Sequence, residues 1–200
     1  MNVDLGNIFD NGKTYTAYRE LIGELLANGQ TTGDDHSDAM LHYTKMNVQR
    51  MNRVEKTTVL KAELLDTVAN VKGKYHFLVI TEGWCGDAAQ IVPVIAKIAA
   101  AGAEKFDLKL VLRDENLPLI DQYLSNGGRA IPVLLVLDEN KQPILPKWGP
   151  RPQVLQGLLA EWKKEGHDMG LIAEQLHGWY AKDKTNEIQS ELTALVKKLM

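Results

Sequence analysis

Tyr75-His76-Phe77-Leu78-Val79-Ile80-Thr81 runs directly into Glu82-Gly83-Trp84-Cys85-Gly86-Asp87-Ala88, and a second apolar stretch continues to Ala101. The first seven residues show no polar alternation, the pattern of a strand covered on both faces. Beyond the junction, Ile91, Val92, Ile95, Ile98 and Ala99 recur at helical spacing. A helix is therefore expected over residues 87–101, ended by Gly102. Pro93 lies inside it and removes a backbone donor there. Cys85 is the only cysteine of 200 residues and falls where strand gives way to helix. A helix N-terminus leaves N–H groups unpaired, and these stabilise a thiolate placed over them.

Downstream, Leu108, Leu110 and Leu112 alternate with more polar neighbours and predict a half-exposed strand. Strand, helix and strand in succession imply a right-handed βαβ unit with parallel strands. Asn116 opens a short helix with Leu117, Ile120 and Leu124 on one face. Residues 130–138 read as another buried strand, and Pro143–Trp148 as its hairpin partner at the sheet edge, where Pro146 is tolerated. Three helices follow: one from Pro152 to Gly166, one carrying Leu171, Ile172, Leu176, Trp179 and Tyr180, and one carrying Ile188, Leu192, Leu195, Val196 and Leu199.

Upstream, three apolar stripes predict helices: Tyr15, Tyr18, Ile22 and Leu25; Leu41, Thr44, Val48 and Met51; and Leu60, Leu64, Val68 and Val71. Thr31–Asp38 separates the first two as a loop.

From residue 58 to 165 this order of elements resembles the thioredoxin fold. Trp84-Cys85-Gly86 is similar to the start of that family's Trp-Cys-Gly-Pro-Cys motif, and Pro93 has the spacing of its helix-kinking proline. Ile131-Pro132 resembles the family's Ile-Pro dipeptide with a cis bond, and Gly149 its groove glycine. The resemblance implies an α/β fold with a central four-stranded mixed sheet flanked by helices. It implies a thioredoxin-like domain over 58–165, a helical N-terminal extension over 1–57, and extra C-terminal helices over 166–200. The departures are equally specific: Ala88 stands in place of the second cysteine, Asp87 in place of the proline, and Val79 in place of the buried acid.

Cys85 is thus the expected catalytic residue, with Trp84, Gly86, Asp87, Ile131, Pro132 and Gly149 lining a substrate groove. Trp148 is expected beside the groove or packed in the core, and Arg129 solvated, or else meeting an anionic ligand or one of the acids Asp87 and Glu82. Asp87 and Glu82 oppose the thiolate, so the Cys85 pKa is expected near the free-thiol value of about 8.5. With no second thiol, Cys85 would need an external thiol such as glutathione to release a mixed disulfide. The first expectation is monothiol thiol–disulfide exchange on a protein or small-molecule thiol or disulfide. The alternative is a redox-silent module that binds a peptide or partner in the same groove.

Composition narrows the remaining classes. Net charge is −3 with no Lys/Arg-rich run, which disfavours nucleic acid. No run of apolar residues is long enough to span a membrane. A lone cysteine and a polar N-terminus point to the cytoplasm. The five histidines show no ligand spacing, so no metal and no resident cofactor is expected. Oligomeric state is not legible.

Overall fold

The computed structural model describes residues 3–200. The apolar run before Cys85 forms β1 (Tyr75–Thr81), and its last five residues are buried. The run after it forms α5 (Gly86–Ala101), with Pro93 inside and Gly102 at its end. Next come β2 (Phe106–Leu112), the short α6 (Leu117–Ile120) and β3 (Val133–Leu137). Strand β1 lies at the centre, parallel to β2 and antiparallel to β3, with Val79 opposite Leu110 and Leu134. Its central place explains the unbroken apolar run: helices cover both faces.

The sheet has three strands, where four were expected. Residues 143–148 follow β3 only through isolated pairings, Leu134 with Trp148 and Leu137 with Pro143. The Trp148 N–H donates to the Leu134 carbonyl (3.0 Å) and the Ile144 N–H to that of Val136 (3.0 Å). Pro143 and Pro146 have no N–H to give, so a continuous ladder does not form.

Among the described residues, four helices precede the sheet: α1 (Leu5–Asp10), α2 (Tyr15–Ala27), α3 (Asp38–Thr57) and α4 (Ala62–Asn70). Three follow it: α7 (Gln153–Lys164), α8 (Met169–Asp183) and α9 (Asn186–Lys197). Helix α3 packs along α5, α9 against α4, and α8 against α7. The buried face of α3 carries Thr44, Asn47, Met51 and Val54, a slightly different stripe from the apolar one, because Asn47 replaces an apolar residue there. Gln189 of α9 is buried and fully paired. Its side chain accepts the Lys61 N–H (2.8 Å) and donates to the Val59 carbonyl (3.2 Å) and the Thr185 hydroxyl (3.0 Å). These bonds fix α9 to the start of α4. No helix among the described residues is long and apolar enough to cross a membrane.

Candidate functional site

Cys85 is the N-cap of α5 and is only 8% exposed. Its Sγ accepts the Ala88 N–H at 3.4 Å, and its S–H donates to the Ile131 carbonyl at 3.4 Å. Burial, followed by the nearby Asp87 carboxylate, pushes the thiol up to about 12; the Ala88 N–H and Arg151 act in the opposite direction. This exceeds the free-thiol value expected from sequence. A helix terminus contributes about 1 kcal/mol at most sites, too little to offset full desolvation of a charge.

Asp87 occupies the first turn of α5 and is itself buried. Its Oδ2 lies 2.6 Å from the Arg151 guanidinium, and its Oδ1 accepts the Tyr180 hydroxyl at 2.8 Å. Burial raises this carboxyl, and Arg151 and Tyr180 hold it back. Three separate parts of the chain meet at this carboxylate: the start of α5, the loop before α7, and α8.

Glu82 is fully buried. Its Oε1 accepts the Asp114 N–H at 2.9 Å, and burial pushes its carboxyl up to about 7. The adjoining loop is polar in sequence yet docked: Thr31 and Thr32 are buried, and the Thr32 hydroxyl accepts the Gly83 N–H at 2.8 Å.

Beside Cys85 lies a pocket of about 480 Å³. Trp84, Cys85, Gly86, Asp87 and Ile131 line it, as five of the seven expected site residues. Pro132 and Gly149 do not. The Ile131–Pro132 and Gly149–Pro150 bonds are both cis. Gly149 packs behind Pro132: a Cβ there would meet the Pro132 carbonyl oxygen at 2.2 Å, and its φ is +111°. Its glycine serves that close approach, where a groove role was expected. The Ile131 carbonyl accepts the Cys85 S–H at 3.4 Å, which leaves one of its two lone pairs for another donor. Trp148 is also turned elsewhere, its indole donating to Glu191 of α9 at 2.8 Å. Arg129 lines the pocket but holds Asp121 in two bonds (2.6 and 2.9 Å), not Asp87 or Glu82.

Several lining residues carry no signal at the sequence level. Arg50 of α3 reaches the pocket because the buried Asn47 accepts from its guanidinium at 2.7 Å and anchors itself on the Gly83 carbonyl at 3.0 Å. An asparagine and an arginine one turn apart, inside an apolar stripe, are the only hint. His177 of α8 lies over Gly86, where a Cβ would meet its ring at 2.7 Å. Burial, then Arg50 and Arg53, push His177 down to about 4, so the ring is neutral at pH 7. The Arg113 guanidinium covers the Trp84 ring at 4.6 Å and pairs with Asp114. Among the described residues no group of three or more His, Cys, Asp or Glu side chains is placed to hold a metal ion.

Comparison with known proteins agrees with this fold. No curated protein matches the chain significantly. Among solved structures, a protein of unknown function from Pseudomonas aeruginosa is similar over 100% of both chains, at 17% identity and a TM-score of 0.65. An HIV epitope scaffold is similar over 98% of this chain and 99% of its own, at 17% identity and a TM-score of 0.61. At such identity these likenesses concern the fold alone. The sequence profile of the family described as Thioredoxin matches residues 33–163, a stretch that contains the α3 wall, the Cys85 turn, Pro132 and Gly149. The chain belongs to the thioredoxin family.

Proposed function

We propose that this chain is a redox-silent binding module of the thioredoxin family, which takes its ligand in the pocket beside Cys85. The observation that carries the reading is the state of the thiol. It is buried, its S–H donates to the Ile131 carbonyl, and the Asp87 carboxylate sits next to it. With the thiol near 12, roughly one molecule in a hundred thousand holds a thiolate at pH 7, and the thiolate is the nucleophile. Trp84, Cys85, Gly86 and Asp87 of the single-cysteine Trp-Cys-Gly-Asp-Ala sequence then serve as the floor of a pocket. Helices α3 and α8 wall that pocket, which favours a small ligand or a short segment of a partner over a long extended peptide. A lone cysteine is consistent with a cytoplasmic location.

Monothiol exchange is the second reading, favoured by the placement of Sγ on the pocket wall and by its bond from Ala88. In that chemistry the Cys85 thiolate attacks a disulfide, a mixed disulfide forms and one thiolate leaves. An external thiol such as glutathione then reduces the mixed disulfide. Insulin reduction and glutathione mixed-disulfide reduction, each with excess reduced glutathione, separate the two. The expected result is that wild type and Cys85→Ser both match the glutathione-only rate. Turnover above that rate which disappears in Cys85→Ser establishes the second reading instead.

A further inference from the structure

The pocket carries a charge pattern opposite to that of the whole protein. Four arginines line it, Arg50, Arg113, Arg129 and Arg151, against the single carboxylate of Asp87, while the chain as a whole has a net charge of −3. Three of the four are satisfied within the fold, on Asp114, Asp121 and Asp87. Arg50 differs. Its guanidinium is half-buried, and its side-chain bond is to the neutral Asn47; among the described residues it makes no ion pair. Burial, then the neighbouring Arg53, disfavour its charge, and the nearby Asp87 carboxylate favours it. A half-desolvated cation that shares the one nearby carboxylate with Arg151 gains from a further anion.

The position of Arg50 suits that task. Its Nη1 lies 3.8 Å from where a Cβ on Gly86 would sit, beside the opening turn of the 16-residue α5. The positive end of that helix adds to the same field. In the same pocket, Met40, Tyr43, Trp84, Ile131, Ala173 and Leu176 contribute apolar lining. The lining thus combines cationic and apolar side chains, in a volume within the range for small-molecule sites.

We infer that the ligand is a small organic anion with an apolar body, its acidic head held by Arg50 at the start of α5 and its body laid between α3 and α8. This rests on the binding-module reading above and names its ligand class. Arg50 is therefore the residue that sets specificity, and Asn47 the one that positions it. Carboxylate, sulfonate and phosphate heads share the chemistry, since each accepts charge-assisted bonds from a guanidinium.

A matched pair of fluorescent probes tests this on the full chain. Anilinonaphthalene sulfonate has an acidic head on an aromatic body; phenylnaphthylamine has the same body with no charge. The anionic dye is expected to bind at one site about tenfold or more tighter than the neutral one, the usual effect of one charge-assisted bond. Arg50→Gln is expected to abolish that preference by weakening the anionic dye while leaving the neutral dye unchanged, and Arg50→Lys to restore part of it. Ala173→Trp fills the pocket and is expected to abolish binding of both. Equal binding of the two dyes, or an Arg50→Gln variant that weakens both alike, overturns the anion inference while the pocket reading stands. Failure of both dyes to bind wild type, or undiminished binding by Ala173→Trp, overturns the pocket reading and the inference with it.

Discussion

Asp87→Asn is expected to lower the unfolding free energy by about 3–5 kcal/mol, the usual cost of breaking a buried ion pair from one side. The asparagine keeps one oxygen for the Tyr180 hydroxyl but turns an amide toward the Arg151 guanidinium, which stays buried without a counter-charge. Because Arg151 precedes α7 and Tyr180 belongs to α8, the loss falls on the attachment of these helices to α5. Amide exchange in α8 should therefore accelerate before exchange in β1. Removing the stranded charge with Asp87→Asn/Arg151→Met is expected to recover about 1–3 kcal/mol, since apolar replacement of a buried pair is often close to neutral. Urea midpoints of the three proteins measure both effects. A single-variant loss below about 1 kcal/mol would mean that the pair is solvated and does not clamp the site.

Glu82→Gln is expected to stabilise the protein above neutral pH. The folded-state carboxyl titrates near 7, where its ordinary value is 4.5, chiefly because it is buried. Below pH 4.5 both folded and unfolded chains carry the proton, and its contribution to stability is fully present. As pH rises toward 7 the unfolded chain ionises first, and that contribution is lost. At about 1.4 kcal/mol per pH unit, the gap amounts to about 3 kcal/mol. Glutamine keeps the acceptor for the Asp114 N–H and does not ionise, so its advantage over wild type should grow from near zero at pH 4 to about 3 kcal/mol at pH 8. His177 has the opposite sign. Its folded value of about 4 lies below the ordinary 6.5, so its contribution is present above 6.5 and is lost as pH falls toward 4. The two groups offset each other in wild type between pH 4.5 and 6.5. Glu82→Gln should uncover a stability that rises with pH across that window. A difference curve independent of pH would contradict the burial of a titrating carboxyl.

The parts of the fold legible in the sequence are those specified locally. Strand β1 and helix α5 announce themselves because a covered strand and a covered helix each need a continuous apolar pattern. The position of Cys85 between them follows from that alone. The fourth strand was misread because burial is easier to see in sequence than a missing N–H: Pro143 and Pro146 interrupt a ladder that apolar content suggested. The site was legible on its α5 side and at Ile131. Arg50, Arg151, His177 and Tyr180 come from α3, a loop and α8, and nothing local tells an arginine at a pocket from one in solvent. The acids show the same limit. Val79 leaves the strand without its familiar carboxylate, yet the fold buries two others nearby, Glu82 and Asp87, through partners that lie 32 to 93 residues away.

The protonation state of Cys85 is the point on which the binding-module reading turns, and alkylation by iodoacetamide measures it directly. Access to a buried sulfur sets the size of the rate, but the thiolate fraction sets its dependence on pH. For a thiol held near 12, the rate should climb about tenfold per pH unit from pH 7 to beyond pH 9.5, with no plateau. A plateau reached by about pH 8 would show a thiolate ready at neutral pH, contradict the neutral pocket floor, and return the chain to monothiol exchange.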